Sequence, residues 1–331
     1  MSSPITADVL AQGVLDGNRR HLARACSLVE STTAADRDVA AALLERIMPH
    51  TGHSRRLGMT GSPGVGKSTL VEAFGLRLCE AGRRVAVLAV DPSSRRTGGS
   101  ILGDKVRMAH LSLHDNAFVR PSPSRLALGG ATSTTRECIL LCEAAGYDTI
   151  IVETVGVGQS EIDVADMVDL FLLLVLPTAG DDIQGIKRGI MEVADAVVVT
   201  KADISPEATR RAIAMLKGAL RLMLPSQEGW NVPVLGLSAV DGDGLADLEA
   251  VCDGFFDGSR MSAIADRRAA QRIRWFDHVL NDRLLDLLGE RTDMRAMLDE
   301  LRARVLDGTV SPAAALHRFF SSLTITMRPL P

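Results

Sequence analysis

The spacing of apolar residues changes twice along this chain of 331 residues. From Thr6 to about Met48, apolar residues recur three and four positions apart, which predicts amphipathic helices. Short, continuous apolar runs follow, separated by helical stretches. This alternation predicts an α/β fold, with a mostly parallel central sheet flanked by helices. The predicted strands are 56–60, 84–90, 149–153, 170–176, 196–200 and 233–238.

Helical spacing returns after about Asp257. Ser311 and Pro312 are typical of a helix N-cap followed by proline at the first helical position. These changes predict a helical N-terminal extension at 1–50, a central domain at 51–258 and a helical C-terminal region at 259–331. The C-terminal region could pack on its own central domain or on a second copy of the chain.

Composition and charge exclude several classes of protein. The net charge of −4 gives no basic footprint of the kind that nucleic-acid-binding proteins carry. The longest apolar run, at 170–176, is too short to cross a bilayer, and the N-terminus lacks a secretory signal. The five cysteines are scattered, and Cys138 and Cys142 are interpreted as core thiols. We therefore expect a cytoplasmic protein without membrane or nucleic-acid partners.

A phosphate-binding loop is the strongest motif in the chain. The segment GSPGVGKS has the G-x-x-x-x-G-K-S spacing, between a predicted strand and a predicted helix. Glycines let backbone N–H groups surround phosphate oxygens, Lys67 would reach the β- and γ-phosphates, and Ser68 would bind Mg²⁺. The predicted nucleotide-binding residues here are Gly61, Ser62, Pro63, Gly64, Val65, Gly66, Lys67, Ser68 and Thr69.

Two later segments predict that the base is guanine. Thr200-Lys-Ala-Asp203 is close to the Asn-Lys-x-Asp guanine clamp, in which the carboxylate accepts two hydrogen bonds that adenine cannot donate. Lys201 would lie along the base. Thr200 departs from the motif, because the asparagine normally braces the phosphate-binding loop and a threonine hydroxyl replaces only one of its bonds. A second base-contacting loop is predicted at Ser238, Ala239 and Val240.

Acidic residues at predicted strand ends indicate a metal site. Asp91 and Glu153 end two strands beside the phosphate-binding loop, where Mg²⁺ is held directly or through water. With Ser68 and Asp104 they form the predicted Mg²⁺ set. The polar loop 177–188 carries Lys187, which could neutralise charge on a transferring phosphoryl group. A helix start with Asp181 and Asp182 as caps explains the same composition.

Together these segments resemble the methylmalonyl-CoA mutase-associated GTPase family, within the branch of GTPases that includes metal-delivery chaperones. The resemblance runs almost continuously from about residue 56 to about residue 203. The blocks DPSSRRTGGSILGDK and ETVGVGQSE are specific to the family, whereas the phosphate-binding loop is not.

The resemblance implies a function and a partner. Such proteins bind GTP with Mg²⁺, hydrolyse it slowly to GDP, and dock on adenosylcobalamin-dependent methylmalonyl-CoA mutase. They gate delivery of the cofactor and protect the mutase from inactivation. The resemblance also implies a homodimer through the C-terminal helices. The loop 177–188 corresponds to the family's third switch loop, and the resemblance implies catalytic roles for its residues Asp181, Gln184 and Lys187.

Two other functions share the same fold and stay open from sequence. A kinase acting on an amino-acid-binding transport protein would use ATP, and Asp203 argues against it. A metallochaperone tends to need cysteine or histidine ligands near the switches. The seven histidines are scattered and no Cys-x-Cys motif exists, which also argues against that reading.

Overall fold

The computed structural model describes residues 6–31, 33–91, 108–123, 130–154, 161–177, 188–223, 227 and 229–322. In these residues, seven strands form one sheet in which every neighbouring pair is parallel. The predicted α/β architecture is therefore confirmed. The strands are β1 (Arg55–Gly61), β2 (Val85–Asp91), β3 (Ala117–Pro123), β4 (Thr149–Thr154), β5 (Leu170–Val175), β6 (Ala196–Val199) and β7 (Val234–Gly236).

The first strand of the chain lies at the centre of the sheet. The strand order is β3-β2-β4-β1-β5-β6-β7, so β1 pairs with β4 on one side and with β5 on the other. The strands β1, β4, β5 and β6 are mostly or wholly buried. This burial explains why they appear in the sequence as continuous apolar runs rather than as alternating patterns.

The sequence pattern missed one strand. The segment AFVRPSP forms β3, which pairs only with β2 at the edge of the sheet. Its two prolines cannot donate backbone hydrogen bonds, which argues against a central strand but is compatible with an edge. The prediction failed because an edge strand does not need a continuous apolar run.

Helices cover both faces of the sheet and extend the chain at both ends. No helix in the described ranges is both long enough and apolar enough to cross a bilayer. The helices are α1 (Ala7–Leu15), α2 (Arg19–Val29), α3 (Ala34–Ile47), α4 (Lys67–Glu80), α5 (Ala109–Leu113), α6 (Gly130–Ala144), α7 (Glu161–Ala165), α8 (Arg188–Val193), α9 (Pro206–Leu220), α10 (Leu245–Phe255), α11 (Met261–Glu290), α12 (Thr292–Leu306) and α13 (Pro312–Ser322).

The N-terminal helices pack on one face of the sheet, where they share an apolar core with α6 and α7. A buried ion pair joins the C-terminal end of α2 to the edge strand β3. Arg120 donates to both carboxylate oxygens of Glu30, at 3.2 and 2.6 Å. On the other face, α4, α5 and α10 pack in a second core cluster. The N-terminal helices are thus part of the main core and cover the sheet directly.

The start of α11 is anchored at the amino ends of the strands. Arg268 donates to both carboxylate oxygens of Asp169, at 2.7 and 2.6 Å, and its guanidinium also donates to the carbonyls of Gly52 and Ser54. Its neighbour Arg267 pairs with Asp195. Both aspartates are fully buried and directly precede strands. This edge of the sheet lies opposite the phosphate-binding loop.

The chain divides into two compact units, residues 1–273 and 274–331. The second unit has a small core of its own, with Leu301, Val310, Ala315 and Phe319 buried. Ser311 caps α13 as predicted, since its hydroxyl accepts a hydrogen bond from the Ala314 N–H at 3.3 Å. The three domain ranges given from sequence, 1–50, 51–258 and 259–331, stay a prediction.

Candidate functional site

The predicted phosphate-binding loop joins β1 to α4 at the carboxyl edge of the sheet. Gly66 precedes the helix in a left-handed conformation, with φ of +98°, and no side chain caps the helix start within the described residues. The first N–H groups of α4 therefore point into the loop as donors for an anion. At Gly61 a Cβ atom would stand 2.5 Å from the Leu174 carbonyl oxygen, so this position requires glycine.

Lys67 brings a positive charge into this loop. Its side chain is buried, and Nζ donates to the carbonyl oxygens of Gly61 at 2.6 Å and Ser62 at 3.1 Å. The ammonium group therefore lies across the loop that the glycines open. This arrangement has the donors and the charge that phosphate oxygens require.

Ser68 and Glu153 meet beside the loop. The Ser68 hydroxyl donates to Glu153 Oε1 at 2.9 Å, and Glu153 is buried near the end of β4. Asp91 ends the neighbouring strand β2, one position beyond the residue that pairs with Thr154. Hydroxyl and carboxylate oxygens are the ligands that Mg²⁺ selects, and it keeps several waters, so a small set of protein oxygens fits it. Within the described ranges no cluster of three or more His, Cys, Asp or Glu residues could hold a metal.

A pair of threonines at this edge was not predicted. Thr60 Oγ1 and Thr154 Oγ1 lie 2.9 Å apart, both fully buried. They occupy neighbouring strands at the point where β1 turns into the phosphate-binding loop. The hydroxyl pair links that turn to the end of β4. In the sequence, each of these apolar runs ends near a threonine, and this was the signal that could have indicated the pair.

The predicted base clamp follows β6 and contacts the phosphate-binding loop. Thr200 is buried, and its hydroxyl donates to the Val65 carbonyl at 2.7 Å, with the Val175 carbonyl at 3.3 Å. Lys201 has a φ of +55°, a strained conformation for a residue with a side chain. Thr200 therefore braces the loop as the asparagine of the motif would, through a single hydroxyl hydrogen.

The second base-contacting segment is tied to the first. The Ala202 N–H donates to the Leu237 carbonyl at 3.1 Å, and the buried Ser238 exchanges hydrogen bonds with Asp241. Ala239 is half-buried, whereas Asp203 and Val240 are exposed. The backbone thus joins the two segments that were predicted to hold the base, and leaves the Asp203 carboxylate at the surface.

We expect removal of the Thr200 hydroxyl to weaken nucleotide binding by about tenfold, the equivalent of one lost hydrogen bond and one unsatisfied carbonyl. Thr200→Val keeps the shape of the side chain and removes its donor, whereas Thr200→Ser keeps the donor. Titration with a fluorescent GDP analogue measures both dissociation constants. Equal weakening in the two variants would show that packing, rather than the bond to Val65, matters.

Several predicted residues lie outside the described residues. These are Asp104 of the predicted metal set and the three residues of the third switch loop, Asp181, Gln184 and Lys187. For Asp91 the backbone is described but the side chain is not. Their roles stay predictions. The structure brings together the phosphate-binding loop, Ser68, Glu153 and the two base-contacting segments.

Comparison with known proteins identifies the family. A family model described as "Methylmalonyl Co-A mutase-associated GTPase MeaB" matches residues 22–293. A probable GTPase of Mycobacterium tuberculosis is 48% identical, and the match covers 98% of this chain and 97% of that protein. The mitochondrial methylmalonic aciduria type A homolog of Mus musculus is 43% identical over 93% of this chain and 77% of its own.

A solved structure entitled "Crystal structure of LAO/AO transport system kinase" has the same fold. It matches with a TM-score of 0.76 and 35% identity, covering 97% of this chain and 98% of that one. The predicted P-loop NTPase fold with helical extensions is therefore confirmed. Since the matches also span the nucleotide-binding segments described above, this chain is a GTPase that belongs to the methylmalonyl-CoA mutase-associated GTPase family.

Proposed function

We propose that this protein is a GTP-hydrolysing chaperone of adenosylcobalamin-dependent methylmalonyl-CoA mutase, which gates cofactor delivery and protects the mutase. One observation carries the proposal: the family model named for that mutase matches residues 22–293, far beyond the nucleotide-binding segments. The match includes most of the N-terminal helices and reaches into α12.

The site residues divide the chemistry among them. The N–H groups of the phosphate-binding loop and Lys67 would hold the β- and γ-phosphates, and Asp203 would select guanine. Ser68, Glu153, Asp91 and Asp104 would hold Mg²⁺, which neutralises phosphate charge when bound. We assign Asp181, Gln184 and Lys187 to the transferring phosphoryl group. Ordering of the switch segments around the γ-phosphate would signal the GTP state, and hydrolysis would release them.

A homodimer through the C-terminal helices is part of the proposal. In residues 274–331 the buried core is small, while large apolar side chains such as Phe276 and Phe320 are more than half exposed. These helices also line an apolar groove of about 840 Å³. Exposed apolar patches of this kind mark association surfaces. A second copy of the chain would cover them.

The experiment that tests the function is phosphate release from GTP, with and without purified methylmalonyl-CoA mutase. We expect the mutase to accelerate release by about tenfold or more, which is about 1.4 kcal/mol off the barrier. Lys187→Ala should retain GTP binding but lose the acceleration. Lys217→Ala removes an exposed lysine of α9 and should behave as wild type. If the mutase does not accelerate phosphate release by the wild-type protein, the proposed client is wrong, but the assignment as a GTPase is unaffected.

The kinase alternative draws support from the name of a solved structure that this chain resembles, an LAO/AO transport system kinase. It predicts transfer of the γ-phosphate to a transport protein and a stable phosphoprotein product. Labelled nucleotide would distinguish the two functions, because a GTPase chaperone releases all of its label as inorganic phosphate.

A further inference from the structure

Three of the five cysteines meet in the core beneath the N-terminal helices. Cys26 lies on α2, whereas Cys138 and Cys142 lie one turn apart on α6. All three side chains are fully buried, in the same core cluster. Cys138 contacts Glu30, which follows Cys26 by one turn at the C-terminal end of α2. The face of α2 that carries Cys26 therefore packs against the face of α6 that carries Cys138 and Cys142, and the three thiols form one cluster between helices that are distant in sequence.

A buried ion pair borders this thiol cluster. Cys138 Sγ lies 4.0 Å from Glu30 Oε1, and Glu30 is paired with Arg120. Hydrogen bonds from Cys138 and Cys142, and then the Arg120 charge, hold the pKa of Cys26 well below its ordinary value. The pKa values of Cys138 and Cys142 are raised by the same hydrogen bonds and by burial. Since the thiolate is the nucleophilic form, the lowered pKa favours Cys26 over the two α6 thiols as the attacking group.

The two remaining cysteines provide an internal contrast. Cys79 on α4 and Cys252 on α10 pack in the core cluster on the other face of the sheet. Burial raises the pKa of Cys79 to about 11 and that of Cys252 to about 12. Both thiols stay protonated at neutral pH. They are therefore matched controls, because they are buried thiols that lack neighbouring thiols and the Arg120 charge.

We propose that Cys26 forms a reversible disulfide with Cys138 or Cys142 when the protein meets hydrogen peroxide. The Cys26 sulfur attacks the peroxide, so that an S–O bond forms, the O–O bond breaks and water leaves. The sulfur of one α6 thiol then attacks the resulting sulfenic acid, the S–S bond forms, and the S–O bond breaks to release a second water. Two thiols lose two electrons and two protons, and the peroxide takes up both.

The disulfide would fasten α2 to α6 and so lock the N-terminal helices onto the sheet. Because the thiols are fully buried, peroxide would reach them when α2 separates locally from α6. The reaction rate therefore reports this opening. We expect oxidation to be slow in buffer and faster in urea concentrations below the global unfolding transition.

The test uses the full-length protein, reduced and then exposed to hydrogen peroxide. The protein is then unfolded in a denaturant that contains N-ethylmaleimide, which labels every thiol that remains free. We expect an intact mass about 2 Da lower before labelling, and a cross-linked peptide that joins Cys26 to Cys138 or Cys142. Cys79 and Cys252 should be labelled, and dithiothreitol should restore all thiols. The peptide map of the wild-type protein decides the proposal even where a variant folds poorly.

Variants sharpen the assignment. Cys26→Ala should abolish the cross-link, while Cys79→Ala should leave it unchanged. Three results would each overturn the proposal: full labelling of all cysteines after peroxide, a cross-link that omits Cys26, or oxidation that adds oxygen without any cross-link.

Discussion

Replacing Asp203 with alanine is expected to lower the preference of this protein for GTP over ATP by about 10²- to 10⁴-fold. The carboxylate can accept hydrogen bonds from the guanine N1–H and from the exocyclic amine, and two bonds to a charged group account for that range. Adenine offers no such pair of donors. The segment that carries Asp203 is held against the phosphate-binding loop by Thr200, so recognition of the base is coupled to the phosphate site.

Competition binding measures this preference directly, with GTP and ATP displacing a fluorescent GDP analogue. The variant Asp203→Asn provides a second test, in which binding of a different nucleotide is expected to improve. Xanthine carries a carbonyl in place of the guanine amine, and the asparagine amide can donate to it, so this variant should bind xanthosine triphosphate more tightly than wild type does. Glu207→Ala, nearby on α9, serves as the acidic control. Unchanged selectivity in Asp203→Ala would remove Asp203 from the base site.

Replacing Asp169 with alanine is expected to lower the free energy of unfolding by about 3–5 kcal/mol. The substitution removes both carboxylate oxygens that accept from the Arg268 side chain and leaves the buried guanidinium hydrogen-bonded to the two carbonyls. It also removes the acceptor of the Arg56 backbone N–H, at 3.0 Å. Urea denaturation followed by circular dichroism measures the loss.

The control for this substitution is Asp253→Ala. Asp253 pairs with Arg55 and Arg83, but its side chain is 48% exposed, so solvent replaces the lost contacts. Its removal should cost at most about 1 kcal/mol. The double variant Asp169→Ala with Arg268→Met should recover part of the stability, because no buried charge is then left unpaired. Equal losses in Asp169→Ala and Asp253→Ala would contradict the assigned importance of the buried pair.

The sequence predicted most of the sheet because most of its strands are buried. Buried parallel strands need apolar residues at nearly every position, and such a run can be recognised without knowing which strands pair with it. The phosphate-binding loop was predictable for a similar reason, since its glycines are local backbone requirements. Thr200 could be placed in the base clamp from its neighbours, but its bond to Val65 depends on a residue 135 positions away.

Contacts between distant residues are what the sequence did not reveal. Cys138 and Cys142 were interpreted as core thiols that share a helix face, and both are buried on α6. Nothing local indicates that Cys26 joins them. The pair of Asp169 and Arg268 was likewise hidden, because the sequence identifies each only as a charged residue beside an apolar one. Such pairs follow from topology, which a pattern of apolar spacing does not specify.

The central position of β1 has a consequence for synthesis of the chain. Both neighbours of β1, the strands β4 and β5, are encoded far downstream, at Thr149–Thr154 and Leu170–Val175. At ribosomal rates the growing chain must wait roughly 4 to 18 seconds between completing β1 and beginning β4. During that interval both edges of an apolar strand lack their native partners. Slowing translation between these strands should therefore increase capture of the nascent chain by chaperones that bind exposed apolar segments.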